Sequence, residues 1–476
     1  MAVSRRTMLL AGGAVVAGGV AIPTGRHLTW GGRDFTRADY NPDYPDAPAG
    51  EESWMNWSGV ERATPQAINL PVSEDELSAL IAGTNGRVRP FGSGHSFSGL
   101  VPSEGMMVDV SRLTGMKSID AETGVAVFGA GTRLFQMATE LAGVGRALPN
   151  LPDIDVQTLA GSFSTATHGT GETLTALHDH ILGFRMVTAN GDILDVTPES
   201  DADLFAAGRV SLGALGVMTQ YMLRTVPAFN LRRTVWVERI ETLMERAEDL
   251  AQQHRNFEFY YFPHTGYAAG ISHDLHEGPI TGKGETEDDS TLEELKALRN
   301  TVGWSPWLRR KIIGAALPKG VVEDVSDNSY KLLATTRPIK FNEMEYHLPR
   351  ANGLKGLREV IAKLEQRKDV FFPMEVRLIA PDDAWLSPFN NGPSMSIAIH
   401  AAVDEPYDYF FSDIEPLHRA NGGRPHWGKH HSLGRDELAA LYPKFGDFMT
   451  LRREMDPAGK FLNPHLAKLF GEPFDA

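Results

Sequence analysis

Short apolar stretches separated by turn residues run through most of the chain, the pattern of many brief strands and helices. Ser73-Glu74-Asp75-Glu76 reads as a capping box that opens a helix with Leu77, Leu80 and Ile81 on one face, closed by Asn85-Gly86. Strands are predicted over 87–90, 108–110 and 125–128, and a helix over 134–142. Asn190-Gly191 sits between two apolar runs in 181–196, the signature of a hairpin. Beyond Pro227 the character changes. Phe257, Phe259 and Tyr261 alternate with polar residues, and further strands are predicted over 341–348, 374–379 and 394–403. Helices are predicted around 438–441 and over 445–455, and the charged stretch 276–300 reads as a surface insertion running into a helix. The sum is an α+β chain: an export segment over 1–30, a linker over 31–53, a first domain over 54–229 and a second over 230–476.

Composition narrows the chemistry. The 476 residues are 42% hydrophobic and 22% charged, ordinary values for a globular protein, so collagen-like, coiled-coil and largely disordered chains are excluded. A net charge of −15 argues against nucleic acid as a partner. With no cysteine, disulfides, thiolate metal sites and cysteine nucleophiles are ruled out. Adjacent Arg5 and Arg6 stand before the short Gly/Ala-rich run of Met8 to Ile22, which is briefer than the ~20 residues of a membrane span. This predicts export by the twin-arginine route to the periplasm or the extracellular space, with an uncleaved membrane anchor as the alternative.

Three segments of the first domain suit a long phosphate-bearing ligand. In Phe91-Gly92-Ser93-Gly94-His95-Ser96, two glycines and two serines let backbone N–H groups approach an anion; it is neither a Walker loop nor a Rossmann fingerprint. Gly161 to Gly171 reads as one loop that brings Gly161, Ser162, Thr165, Thr167, His168 and Gly169 together. The apolar Ser211–Val217 stretch adds Gly216 and Val217. In the second domain, period two puts Glu375 and Arg377 on one face of a strand opposite Met374, Val376 and Leu378. That pair is either a surface ion pair or functional. By the same rule His400 shares a face with Ala398 and Ala402. His426-Trp427-Gly428-Lys429-His430-His431 fits no standard zinc spacing, so no metal is expected, and Lys429 reads as a cation in a polar pocket.

These segments, with Asp456-Pro-Ala-Gly-Lys-Phe-Leu-Asn463 near the C-terminus, together resemble the vanillyl-alcohol oxidase flavoprotein superfamily, in its sugar-1,4-lactone and alditol oxidase branch. The resemblance runs from about Pro65 to Leu469. It implies a two-lobed FAD-binding domain, a substrate domain with an antiparallel sheet over the flavin, and a tail returning to the first domain. It places the pyrophosphate on Gly92–Ser96 and matches His95 to the histidine that many relatives bond covalently to the flavin. It also implies oxidation of a CH–OH group of a polyol or sugar lactone by hydride transfer to the flavin, with O₂ or another acceptor taking the electrons. In such a reaction Arg377 and Lys429 supply charge for an alkoxide-like transition state and Glu375 orients Arg377 or binds a second hydroxyl. His400, when neutral, takes the proton, and Ser162 bonds substrate or flavin. Ala401-Ala402 stands where alditol oxidases tend to carry a hydroxyl residue, which leaves the lactone reading open. A dehydrogenase on the same scaffold and a non-catalytic secreted binding protein are the alternatives, and a monomer or small homo-oligomer is expected.

Overall fold

The computed structural model describes residues 29–41, 52–284, 288–335 and 339–474. The export segment therefore lies almost wholly outside the described residues. Among them, no helix is long and apolar enough to cross a membrane.

The first domain is two lobes. In the smaller one, Ala67–Asn69, Met106–Asp109 and Val88–Phe91 form a parallel three-stranded sheet. The helix Glu74–Gly83 covers it with Leu77 and Ile81, both fully buried. Ser73 caps that helix by accepting from the Glu76 amide at 3.1 Å, whereas the Glu76 carboxylate accepts from Val72 N rather than from Ser73. The second lobe is a five-stranded antiparallel sheet in the order 193–196, 181–187, 217–224, 125–129, 116–119. It includes the hairpin around Asn190-Gly191, whose register pairs Ile193 with Val187. Gly216, at φ +159°, lets the chain enter the central strand, because a Cβ there would meet Met186 Cε at 2.3 Å.

One large sheet dominates the rest. Its eight strands run in the order 320–328, 230–239, 267–275, 256–262, 374–379, 394–402, 341–349 and 424–425, with every pairing antiparallel. One face buries Phe257, Phe259, Met344, Tyr346, Met374, Val376, Ile397 and Ile399 under the helices Ile240–Gln253 and Arg350–Leu364. The other face looks into a cavity. The change of sheets falls between Pro227 and Asn230.

Two stretches differ from their sequence reading. Residues 30–41, expected as the last residue of the export segment and the start of a linker, pack on the second domain: Trp30 Nε1 donates to Arg299 O at 2.8 Å, and the Arg37 amide donates to Asp404 O at 2.8 Å. Phe35 lies under the buried Arg299 guanidinium at 3.9 Å, which explains why this Arg/Tyr-containing stretch is held. The stretch read as one loop from Gly161 to Gly171 begins inside a helix, Leu159–Ser164, capped by the Thr158 hydroxyl on the Gly161 amide at 3.2 Å. The tail packs back on the first domain. Asn463 Nδ2 donates to Gly99 O and Pro102 O, each at 2.8 Å, and Phe461 is fully buried beside Leu77, Ile81 and Val88. Phe461→Ala therefore removes a side chain common to the tail and the smaller lobe. It is expected to destabilise the protein by about 3–5 kcal/mol, read as a fall in the midpoint of denaturant unfolding at unchanged slope.

Candidate active site

Strand alternation builds the site. Register sets Tyr260 opposite Glu375, Arg377 opposite Ser396 and Glu343 opposite His400, so these side chains project from the same face. All of them but Ser396 line a cavity of about 580 Å³, together with Glu258, Glu345, His426, Lys429 and, from the first domain, Thr167 and His168. The alternating apolar residues of the same strands fill the core beneath, which is why the polar set has nowhere else to go.

The charges are paired in detail. Glu345 is fully buried, and its Oε1 accepts from Arg377 Nη2 at 2.5 Å, from His168 Nε2 at 3.1 Å and from the Ser396 hydroxyl. Burial opposes the charge on Glu345, but Arg377 and His168 outweigh it and hold the carboxyl well below the usual carboxylate range. Burial likewise opposes the Arg377 cation, and Glu345 and Glu375 outweigh it and raise its pKa. Glu375 lies 3.4 Å from Arg377 and accepts from the Tyr260 hydroxyl at 2.6 Å. Lys429 Nζ forms an ion pair with Glu343 and lies over the Phe97 ring at 4.9 Å. His400 Nδ1 faces the Pro373 carbonyl at 2.9 Å. A carbonyl only accepts, so that nitrogen carries hydrogen and Nε2, 3.7 Å from Glu343 Oε1, is the proton-accepting position of the neutral ring. Burial first, then the neighbouring Glu375 carboxylate, pushes Glu258 up to about 8.

The two domains meet at this cluster. The Phe97 amide donates to Gly428 O at 2.7 Å and the Ser98 hydroxyl to Trp427 O at 2.9 Å, locking the turn that carries His95 onto the loop that carries Lys429. His95 stacks on Trp57 with ring centres 5.2 Å apart. Burial, then Lys429 and Arg133, lowers its pKa to about 4, so the ring is neutral at neutral pH. The Gly171 amide donates to Leu378 O at 2.7 Å, which ties the His168 loop to the Glu375–Arg377 strand.

The first domain fits a dinucleotide. Among the described residues the amides of Ser93, Gly94, His95 and Ser96 donate to no other group. Gly94 has φ +66°, and a Cβ at Gly92 would strike Thr158 Oγ1 at 2.0 Å, so the turn demands glycine. Thr167 Oγ1 and Gln157 Oε1 are buried at the cavity wall with no partner among the described residues. Other expected residues sit differently. Phe91 ends a strand and packs edge-on to Trp54, and Val217 opens the central strand of the second lobe and is buried against the core of the smaller one. The Ser162 hydroxyl donates to Leu159 O at 3.1 Å and Thr165 Oγ1 to Gly161 O at 2.9 Å, so both serve the short helix. Gly169 abuts Leu151 O, where a Cβ would come to 2.4 Å. Ala402 faces Leu295, Ile313 and Phe371 rather than the cavity. His168, Glu345 and His426, and separately Glu343, Glu375 and His400, place one donor atom each within 4.8 Å of one another. Arg377 and Lys429 already neutralise Glu345 and Glu343 respectively, so those carboxylates are committed to side-chain cations.

A glycine turn with a neutral histidine, docked beside a charged cavity roofed by an antiparallel sheet, is the arrangement of an FAD-dependent oxidoreductase of the vanillyl-alcohol oxidase type, and the relatives agree. Residues 65–197 match the FAD binding domain family and 222–469 the D-arabinono-1,4-lactone oxidase family. The chain is 34% identical to an L-gulono-1,4-lactone dehydrogenase of Mycobacterium tuberculosis over 88% of its length and 99% of that relative. It is 29% identical to an L-gulonolactone oxidase of Bos taurus over 88% of its length and 98% of that relative. A crystal structure of cholesterol oxidase from Brevibacterium sterolicum superposes with a TM-score of 0.70 at 15% identity, covering 90% of this chain and 99% of that one, a likeness of fold. The chain belongs to the D-arabinono-1,4-lactone oxidase family, and FAD is its cofactor.

Sequence reasoning missed Glu258, Tyr260, Glu343, Glu345 and Ser396. The signal for two of them was present: Glu343 and Glu345 alternate with Met344 and Tyr346 just as Glu375 and Arg377 alternate with Val376 and Leu378. If Tyr260 holds Glu375 in place, Tyr260→Phe should lower kcat/KM about tenfold or more while leaving flavin content unchanged. Steady-state kinetics beside the flavin absorbance of the purified variant checks this.

Proposed function

We propose that the protein oxidises a CH–OH carbon of a sugar-derived alcohol or aldono-1,4-lactone to a carbonyl, with O₂ as acceptor and H₂O₂ as the second product. The observation that carries this reading is the meeting of Arg377, His400 and Lys429 at the end of the cavity nearest His95 and His168. Flavin, when bound, accepts the hydride that leaves the alcohol carbon. His400 Nε2 receives the hydroxyl proton, and the fixed cations Arg377 and Lys429 offset the negative charge that grows on the substrate oxygen. Glu375, held by Tyr260, orients Arg377 and is placed to accept a hydrogen bond from a second substrate hydroxyl. Gly161, on the exposed side of its helix with only Thr158 Oγ1 near its Cβ position, leaves space for dioxygen beside the cofactor loops. A dehydrogenase passing electrons to a quinone or cytochrome is the second reading, and it is favoured by the dehydrogenase name of the Mycobacterium tuberculosis relative.

We infer that His95 carries the flavin covalently, since a neutral, buried imidazole in the phosphate-binding turn is the nucleophilic form. The protein should bleach on anaerobic addition of an aldono-1,4-lactone or alditol and regain colour quickly in air. After acid denaturation the yellow colour should stay with the polypeptide, but not in His95→Ala. Bleaching without reoxidation by air sinks the oxidase and leaves the dehydrogenase; no bleaching by any such alcohol sinks both.

The twin arginines support export in the folded, cofactor-loaded state, to the periplasm or beyond. Arg5→Lys together with Arg6→Lys should confine the protein to the cytoplasmic fraction. Unchanged fractionation of the double variant would count against that route.

A further inference from the structure

The cavity is far longer than the charged cluster at its end. It follows one face of the sheet across seven strands, from Glu343 and Glu345 at one side to Val322 and Val325 at the other. Strands lie about 4.8 Å apart, so the step from Glu375 across the 256–262 and 267–275 strands to Val235 spans about 14 Å. Along that path the lining changes from charged to apolar. Val235, Val237, Ala269 and Ile271 replace the carboxylates at the same alternate positions, and Val322 on the edge strand and Leu317 just before it pack against them. The charged groups along the way are Asp153, Arg233, Glu258, Glu294 and Glu323. Arg233 pairs with Glu323 at 3.1 Å, Asp153 accepts from the Thr335 hydroxyl at 2.5 Å, and burial with Glu375 and Asp153 holds Glu258 toward its neutral form against the pull of Arg377 and Arg233.

A polyol or sugar lactone has hydroxyls on every side and would leave those apolar walls without a match while losing its own hydrogen bonds to water. Resting on the reading of the catalytic end given above, we propose that this distal arm is a subsite for an apolar substituent, an alkyl or acyl chain, carried by the alcohol substrate. The arm is continuous with the catalytic end on one sheet face, so a single molecule can place its hydroxyl at His400 and its chain between Val235 and Leu317. The preferred substrate is then an amphiphilic sugar alcohol or lactone rather than a free one.

The test is a titration of the holoenzyme with aldono-1,4-lactones acylated at the terminal hydroxyl by acetyl, butanoyl and hexanoyl groups. Binding is read by calorimetry and turnover by kcat/KM. Each buried methylene should tighten binding by up to about fourfold until the arm is full. Val235→Phe and Ala269→Leu, which fill the arm and lie outside the charged cluster, should flatten that series while leaving flavin content and the unacylated lactone unaffected. A flat or absent dependence on chain length overturns the proposal. So does a dependence that survives both variants, because the grip then lies elsewhere. A flat acyl series beside a long-chain benzoquinone whose binding the variants abolish also overturns it, assigning the arm to an electron acceptor. If acyl chains tighten binding but no lactone, acylated or free, reduces the flavin, the arm stands and the lactone reading of the catalytic end falls.

Discussion

Charge held inside this protein has to be answered by charge, and the Glu345–Arg377 pair is where that requirement is strictest. Both side chains are almost wholly shut off from water. Either one alone would carry a large desolvation cost, so removing one partner is expected to be worse than removing both. The pair is satisfied from two directions. Ser396 lies beside it on the neighbouring strand, and His168 comes across the domain boundary. His168 also faces Gly169 O with its other nitrogen at 2.8 Å, so the ring joins the Glu345 pair to its own loop. The catalytic face is therefore complete only when the two domains are docked. The hydrogen bonds of Gly171 and Thr170 to the Met374–Ile379 strand belong to the same joint.

The preparation of the cofactor turn follows a similar logic. Among the described residues the amides of Ser93–Ser96 have no partner, and the turn around them is fastened from outside. Ser93 Oγ donates to Val156 O at 2.6 Å, Asn56 Nδ2 to Ser96 O at 2.8 Å and the Trp57 amide to Gly94 O at 2.8 Å. In the strand that leads into the turn, Arg89 is buried with no carboxylate beside it among the described residues. It donates instead to the carbonyls of Leu100, Leu212, Gly213 and Phe461. Burial lowers its pKa to about 9, still high enough to keep the cation at neutral pH. A turn held this way meets an anion without having to reorganise, which is the condition for backbone amides to bind one well.

Much of this was legible in the sequence, and the reasons for the exceptions are physical. Met374–Ile379 and Phe445–Met455 have the bounds their periodicity predicts, because each has one face committed to a core. The strands Asn230–Arg239 and Gly320–Asn328 lie at or beside the sheet's edge, and their runs of Arg, Asp and Glu hide the alternation. Tyr267–Leu275 reads as too small for a strand because Trp236 covers Gly270, where a Cβ would come within 2.4 Å of the indole. Glu375 and Arg377 were visible, but their alternative reading as a surface ion pair could not be removed without Glu345. That partner lies 32 residues away in sequence on a strand that pairs elsewhere. The short helix Leu159–Ser164 was obscured by the same glycines and hydroxyl residues that suit a phosphate-binding loop.

Glu343, Glu345 and Glu375 on one sheet face would look redundant, but their partners separate them. Glu345 is spent on Arg377 and His168 and fixes where the guanidinium lies. Glu375 is held by Tyr260 and touches Arg377 from the side open to the cavity, so it is the one with an edge left for a substrate hydroxyl. Glu343 bridges Lys429 and His400, and that position decides its part in the chemistry. When His400 Nε2 takes a proton it becomes a cation 3.7 Å from Glu343 Oε1, an attraction of about 4 kcal/mol at an effective dielectric of about 20. In the proposed reaction Lys429 balances Glu343 at the start; at the end the imidazolium shares that carboxylate, and Lys429 is freer to face the substrate oxygen as its charge grows. Proton removal and charge stabilisation are in this way coupled through one side chain that touches neither the reacting carbon nor the cofactor turn.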